Sequence, residues 1–101
     1  MSRISVLLPF HNAAIHLDAA IASIAAQTFS AWELLLIDNA SSDESNAIAH
    51  RWAKQDERIR VITEPAVGIA HALNTGLRHA QGRYIARMDA DDVSHPDRLA
   101  M

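Results

Sequence analysis

Cysteine is absent from all 101 residues, which excludes a disulfide frame and thiolate chemistry and fits a reducing compartment. Aromatic residues make up only 5% of the chain, and 9 basic residues stand against 12 acidic ones for a net charge of −3. A nucleic-acid surface would call for a basic patch and usually aromatic stacking platforms, and neither is present. The longest apolar run is too short to span a membrane. The first residues lack the charged-then-apolar layout of a secretory signal. There is no internal repeat, low-complexity tract or linker. What remains is a chain of single-domain length, half of it apolar, and therefore able to build one core.

The apolar pattern changes period along the chain. Ile4 to Leu8 is a short, nearly continuous apolar run ended by Pro9. That suits a central strand buried on both faces, with the proline stopping the ladder. From Ala14 to Gln27, Leu17, Ile21 and Ile24 recur at helical spacing among alanines. A second strand runs from Trp32 to Ile37 and closes at Asp38. Ser42 or Asp43 is placed to cap a helix reaching about Gln55, with Ile48 and Trp52 on its inner face. Ile59 to Thr63 alternates apolar and polar residues, as an edge strand does. A third helix, from about Gly68 to His79, is expected to bury Ile69, Ala72, Leu73 and Leu77. Tyr84 to Met88 forms a fourth strand, and His95-Pro96-Asp97-Arg98-Leu99 starts another helix with proline at an early position.

The order β-α-β-α-β-α-β predicts an α/β fold: a three-layer, Rossmann-like open parallel sheet with flanking helices and right-handed crossovers. The first strand is the most apolar and the third the most alternating, which gives the spatial order 3-2-1-4. The chain reverses direction across the sheet between strands 1 and 4. Pro9 to Asn12, Asp38-Asn39 and Asp89 to Asp92 would then face one crevice at the carboxyl ends of the strands, where open α/β sheets bind ligands.

Arg87-Met88-Asp89-Ala90-Asp91-Asp92-Val93 is the segment with the most chemical content. Three carboxylates crowd the end of a strand, where they repel one another unless a cation sits among them. Mg²⁺ and Mn²⁺ take oxygen ligands and are often held by one or two carboxylates plus phosphate oxygens. The pattern points to a metal-assisted site for a phosphate-bearing ligand. An acidic helix cap in a polar loop is the plain alternative. His16, His50, His71 and His79 have no ligand spacing and read as surface residues, whereas Trp32 and Trp52 read as packing. Gly76 inside a helix costs up to about 1 kcal/mol relative to alanine, and close approach to the first strand is the reason it would be kept.

Five segments carry a family resemblance. They are Pro9-Phe10-His11-Asn12, Gln27-Thr28-Phe29, Ile37-Asp38-Asn39-Ala40-Ser41-Ser42-Asp43, the run from Gly68 to Gly76, and Gly82-Arg83-Tyr84-Ile85-Ala86-Arg87-Met88-Asp89-Ala90-Asp91-Asp92. In this order and at these spacings the chain resembles a family 2 glycosyltransferase of the GT-A fold, over nearly its whole length. The resemblance implies transfer of a sugar from a nucleotide-diphosphate sugar to an acceptor hydroxyl, with Mn²⁺ or Mg²⁺ at the Asp-X-Asp motif. It implies Asp91 as the direct metal ligand and Asp89 on the ribose or on the metal through water. Pro9, His11, Asn12, Asp38, Asn39, Asn74, Asp89 and Ala90 would line the nucleotide-sugar site. His11 stands where the family often has an aromatic residue beside the base. Asn39 stands where it commonly has an aspartate reading the imide N–H of uracil, which keeps UDP and dTDP in favour and leaves GDP open.

The acceptor site and catalytic base of such enzymes lie beyond the nucleotide-binding half. The resemblance therefore implies that residues 1–101 are a nucleotide-diphosphate-sugar-binding domain cut before the acceptor half, with no catalytic residue and no transfer activity of its own. It implies a cytoplasmic location, at the inner face of a bacterial inner membrane, and polysaccharide assembly. An exposed edge on strand 4 would favour self-association. Two other readings remain. Asp89-Ala90-Asp91-Asp92-Val93 also matches the Asp-X-Asp-X-(Thr/Val) pattern of haloacid-dehalogenase-like phosphatases, with Asp89 as nucleophile, although that motif usually follows the first strand of its domain. The third reading is a nucleotide- and metal-binding module without catalysis.

Overall fold

The structure, a computed structural model, describes residues 3–90. Strands β1 (Ile4–Phe10), β2 (Trp32–Asp38), β3 (Ile59–Thr63) and β4 (Tyr84–Arg87) alternate with helices α1 (Ala14–Ala25), α2 (Ser45–Gln55) and α3 (Ile69–His79). The four strands form one parallel sheet in the order β3-β2-β1-β4. This is the predicted architecture, with the alternating strand at one edge and the topological switch between β1 and β4.

Side-chain alternation divides the core in two. Val6, Leu8 and Phe10 of β1 and Leu34 and Leu36 of β2 meet Leu17, Ile21 and Ile24 of α1 and Ala49 of α2. On the other face Leu7, Leu35 and Ile37 meet Ala72 of α3. β1 and β2 are buried on both faces from Ser5 onward, so each of Leu7, Leu8, Leu34, Leu35, Leu36 and Ile37 contributes about 1.5–3 kcal/mol of burial. These two strands are therefore the rigid elements on which the loops at their carboxyl ends are mounted.

Three expectations change. Pro9 does not end β1, which continues to Phe10 with Pro9 in register with Ile37. Successive residues of a parallel strand point their backbone groups to opposite neighbours. Leu7 O accepts from Met88 N on the β4 side, and Phe10 O accepts from Asn39 N on the β2 side. The missing N–H of Pro9 therefore falls on the β4 side, past the last β4 pair at Arg87, and the β2 ladder loses nothing.

Second, Ile69 and Leu77 are each 51% exposed rather than buried. α3 seats itself through Ala72, Thr75 and Gly76 instead. A Cβ on Gly76 would lie 3.1 Å from both Ile37 Cδ1 and Leu7 Cδ2, so small residues let the helix come close and turn the larger ones outward. Third, neither Ser42 nor Asp43 is the N-cap of α2. That position is Glu44, without a side-chain cap bond, and Asp43 serves the first turn from one residue earlier, accepting from Ser45 N at 2.9 Å.

Candidate functional site

The crevice at the carboxyl end of the sheet is built by loops that brace one another. Asn12 adopts a left-handed conformation, φ 50°, which asparagine tolerates better than most residues. Its Oδ1 accepts from Ser42 N at 2.7 Å and Asp43 N at 3.2 Å, and its own N–H donates to Ser41 Oγ at 3.0 Å. The return contacts come from the first residue of α2 and from Asp43 just before it. Ser45 Oγ accepts from Ala13 N at 2.7 Å, and Asp43 Oδ2 accepts from Ala14 N at 3.2 Å. The free amides opening α1 are thus satisfied by side chains some thirty residues away, as a helix start requires. The Ser45 hydroxyl first, then the Ser45 amide, holds the Asp43 carboxyl below the usual carboxylate range.

Asp38 and Asn39 end β2 and are each 5% exposed. Asp38 Oδ1 accepts from Ser41 N at 3.0 Å and Oδ2 from Asn46 Nδ2 at 2.6 Å, so this carboxylate organises its own loop. Asn39 reaches the other way. Its Nδ2 donates to Glu64 O at 3.0 Å and Ala66 O at 2.8 Å, while its Oδ1 accepts from Gly68 N at 2.9 Å. His11 Nδ1 lies 2.6 Å from Asn39 O. A carbonyl only accepts, so His11 carries its proton on Nδ1 and Nε2 is left as the second polar atom of the ring.

The segment between β3 and α3 closes one side. Glu64 accepts from Ala66 N at 2.8 Å and from the Thr75 hydroxyl of α3. That hydroxyl, followed by the Ala66 amide and the charges of His71 and Arg78, lowers the Glu64 pKa. Gly68 has φ 136°, a conformation that strains any side chain. Pro9, Phe10, His11, Asn39, Val67, Gly68 and Ile69 together surround a largely apolar cleft of about 230 Å³. Val67 is 66% and Ile69 51% exposed, so the apolar rim of the cleft faces solvent.

Beside it, at the end of β4, Asp89 is solvent-facing and pairs with Arg87 Nη2 at 3.4 Å. Met88 is buried and Ala90 packs on the α1–α2 side of the core. Asp91 and Asp92 lie outside the described residues. Among the described residues no three carboxylates, histidines or cysteines converge as a metal set, but an exposed carboxylate at a sheet's carboxyl edge is a suitable oxygen ligand for a hard cation that also binds phosphate. Of the predicted site residues, Pro9, His11 and Asn39 meet at the cleft, Asn12 and Asp38 frame it, and Asp89 stands at the neighbouring strand end. Asn74 is apart from them, exposed on α3 and outside the cleft lining.

Sequence reading did not find Ser45, Glu64 or Thr75, whose roles depend on partners far along the chain. It also missed a polar network near the amino end of the sheet. There the buried Glu33 carboxylate accepts from Ser5 Oγ at 2.5 Å, Gln81 N at 2.6 Å and Arg60 Nη2 at 3.3 Å. This network joins β1, β2, β3 and the turn before β4, at the end of the strands opposite the cleft.

An open parallel sheet with its loops gathered at a β1/β4 switch point is a Rossmann-like frame of the kind that binds ligands at the carboxyl ends of its strands. The model of the family described as Glycosyl transferase family 2 matches residues 5–101, and the chain belongs to that family. The UDP-Glc:alpha-D-GlcNAc-diphosphoundecaprenol beta-1,3-glucosyltransferase WfgD of Escherichia coli is 39% identical over 99 residues, covering 97% of this chain and 38% of that protein. The mannosyltransferase PcManGT of Pyrobaculum calidifontis, solved in complex with GDP-Man and Mn²⁺, superposes with a TM-score of 0.89 at 33% identity, over 97% of this chain and 30% of that one. TarS 1-349 of S. aureus has the same fold, with a TM-score of 0.90 at 22% identity over 97% of this chain and 30% of that one. The chain thus spans well under half the length of these proteins. With the family shown and the acidic motif after β4 rather than β1, the phosphatase reading falls away.

Proposed function

We propose that the crevice binds the nucleotide diphosphate of a sugar donor, as the donor half-site of a glycosyltransferase that moves the sugar to an acceptor hydroxyl. The observation that carries this reading is the cleft between Pro9–His11 and Val67–Ile69, beside the acidic end of β4. Its apolar walls suit a base and ribose, and the adjoining carboxylate suits a metal on the diphosphate. Asp91 and Asp89 would hold Mn²⁺ or Mg²⁺. When bound, such a cation offsets the charge that gathers on a departing diphosphate. Pro9 and His11 contact the base end, Asn12 and Asp38 keep the loops in place, and Ala90 adjoins the diphosphate. Asn74, exposed on α3, is at most a peripheral contact.

In the overall reaction the acceptor oxygen bonds to the anomeric carbon, the bond from that carbon to the diphosphate oxygen breaks, and the acceptor proton passes to a general base. The expected outcome is inversion, with no residue of this chain assigned as that base. UDP and dTDP are the favoured donor nucleotides. GDP enters because PcManGT was solved with GDP-Man. Bacterial polysaccharide assembly at the inner face of the membrane fits the lipid-linked acceptor in the name of WfgD. No helix among the described residues is long and apolar enough to cross a membrane.

Titration of the ¹⁵N-labelled chain with UDP and Mn²⁺ tests the location. The expected shifts fall on His11, Val67 to Ile69 and Asp89. Shifts confined to the opposite end, around Glu33 and Gln81, would overturn the reading.

A further inference from the structure

We propose that Asn39 is a positioning residue: it pins the Glu64–Gly68 segment to the strand ends, and so builds one wall of the donor cleft without reading the base. Five hydrogen bonds converge on this residue. Its N–H donates to Phe10 O at 2.8 Å, and its carbonyl accepts from His11 Nδ1 at 2.6 Å. Both side-chain protons are used on Glu64 O and Ala66 O, and Oδ1 takes Gly68 N. With the residue 5% exposed, its amide has no proton left to offer a ligand, and Oδ1 accepts from Gly68 N and keeps only one further acceptor site, within an almost fully enclosed side chain. Buried polar groups bonded on every side fix geometry, and a half-satisfied replacement is costly. A carboxylate in its place keeps an acceptor for Gly68 N but loses both donors and faces two carbonyl oxygens.

The inference rests on the donor-site reading only for its consequence in binding; the pin itself is tested without ligand. Amide exchange by NMR would be compared in the native chain, Asn39→Ala and Asn39→Asp. Loss of the pin is expected to speed Gly68 exchange by on the order of tenfold or more in Asn39→Ala, with amides of β1 and β2 unchanged. Equal Gly68 exchange in native chain and Asn39→Ala overturns the proposal.

The second readout is affinity for UDP, dTDP and GDP with Mn²⁺. Asn39→Ala, which removes the pin and introduces no group able to read a base, is expected to weaken all three by a common factor, on the order of tenfold, leaving their ratios unchanged. A changed ratio would mean that Asn39 reads the base, and overturns the proposal. If the native chain binds none of the three, the donor-site reading fails instead, and Gly68 exchange alone decides the pin.

Discussion

At the scale of single residues, the strictest demands come from two glycines and two carboxylates. A Cβ on Gly82 would sit 2.6 Å from Ser5 N and 2.7 Å from Ser5 Oγ. Gly82 N also donates to that hydroxyl at 2.7 Å. Backbone cannot give way as a side chain does, so Gly82→Ala is expected to cost about 1–3 kcal/mol. Urea unfolding measures it, and an unchanged midpoint would contradict the close approach. Gly68→Ala should cost about 1–3 kcal/mol for a different reason, the strain of a side chain at φ 136°. Asp43 and Glu64 are both held below the usual carboxylate range by hydroxyl and amide donors. Because their folded pKa values are depressed, the unfolded chain binds more protons in acid. Their stabilisation is therefore complete above the ordinary carboxylate pKa and lost as pH falls through the folded values. Stability should drop as the pH falls below the ordinary carboxylate range, and Asp43→Asn and Glu64→Gln should each make that drop shallower. Identical acid profiles for the native chain and both variants would show that these contacts do not differ between folded and unfolded states.

At the scale of elements, α3 separates packing from exposure. Gly76→Val pushes two methyl groups toward Leu7 and Ile37, which a Cβ would already approach to 3.1 Å, and should destabilise by about 1–3 kcal/mol or more. Leu77→Gln, on the exposed side of the same helix, should change stability by no more than about 0.5 kcal/mol. Thermal unfolding of the two variants compares them, and equal losses would contradict the seating of α3. The element order and sheet order were legible in sequence because strands buried on both faces, such as Leu34-Leu35-Leu36-Ile37, differ in pattern from the alternating Ile59 to Thr63. The face of α3 was legible only in part: Ala72 and the close approach of Gly76 to β1 were expected, whereas Ile69 and Leu77 were assigned to the core and face outward. Hydrophobic periodicity assigns the core to the larger residues, whereas this helix packs by its smallest. The run of β1 through Pro9 was hidden for a related reason, since the side to which a missing N–H points depends on register. The crevice was legible as a set of strand ends. The division of labour inside it was not, because Asn12, Asp38 and Asn39 show their roles only through partners such as Ser42, Asn46 and Gly68.

At the scale of the molecule, the two ends of the sheet differ: one is closed by a polar network and the other carries the cleft. The Glu33 network ties β1, β2, β3 and the turn before β4 near the amino ends of the strands, and the loops at the carboxyl ends form the cleft. Tyr84 and Ile85 on the outer strand are 54% and 47% exposed, and among the described residues β4 has a neighbour only in β1. Pairing of this edge with a second copy is the expected result, and Ile85→Lys should suppress it. Sedimentation of the native chain as a monomer at high concentration would contradict it.

The central claim is that this crevice is a metal-dependent donor site. Calorimetric titration with UDP, dTDP and GDP, each with and without Mn²⁺ and repeated on Asp91→Ala, tests it most directly. The account predicts binding of one nucleotide that requires the metal and is lost in Asp91→Ala. Binding indifferent to both metal and mutation, or no binding of any nucleotide, would contradict it.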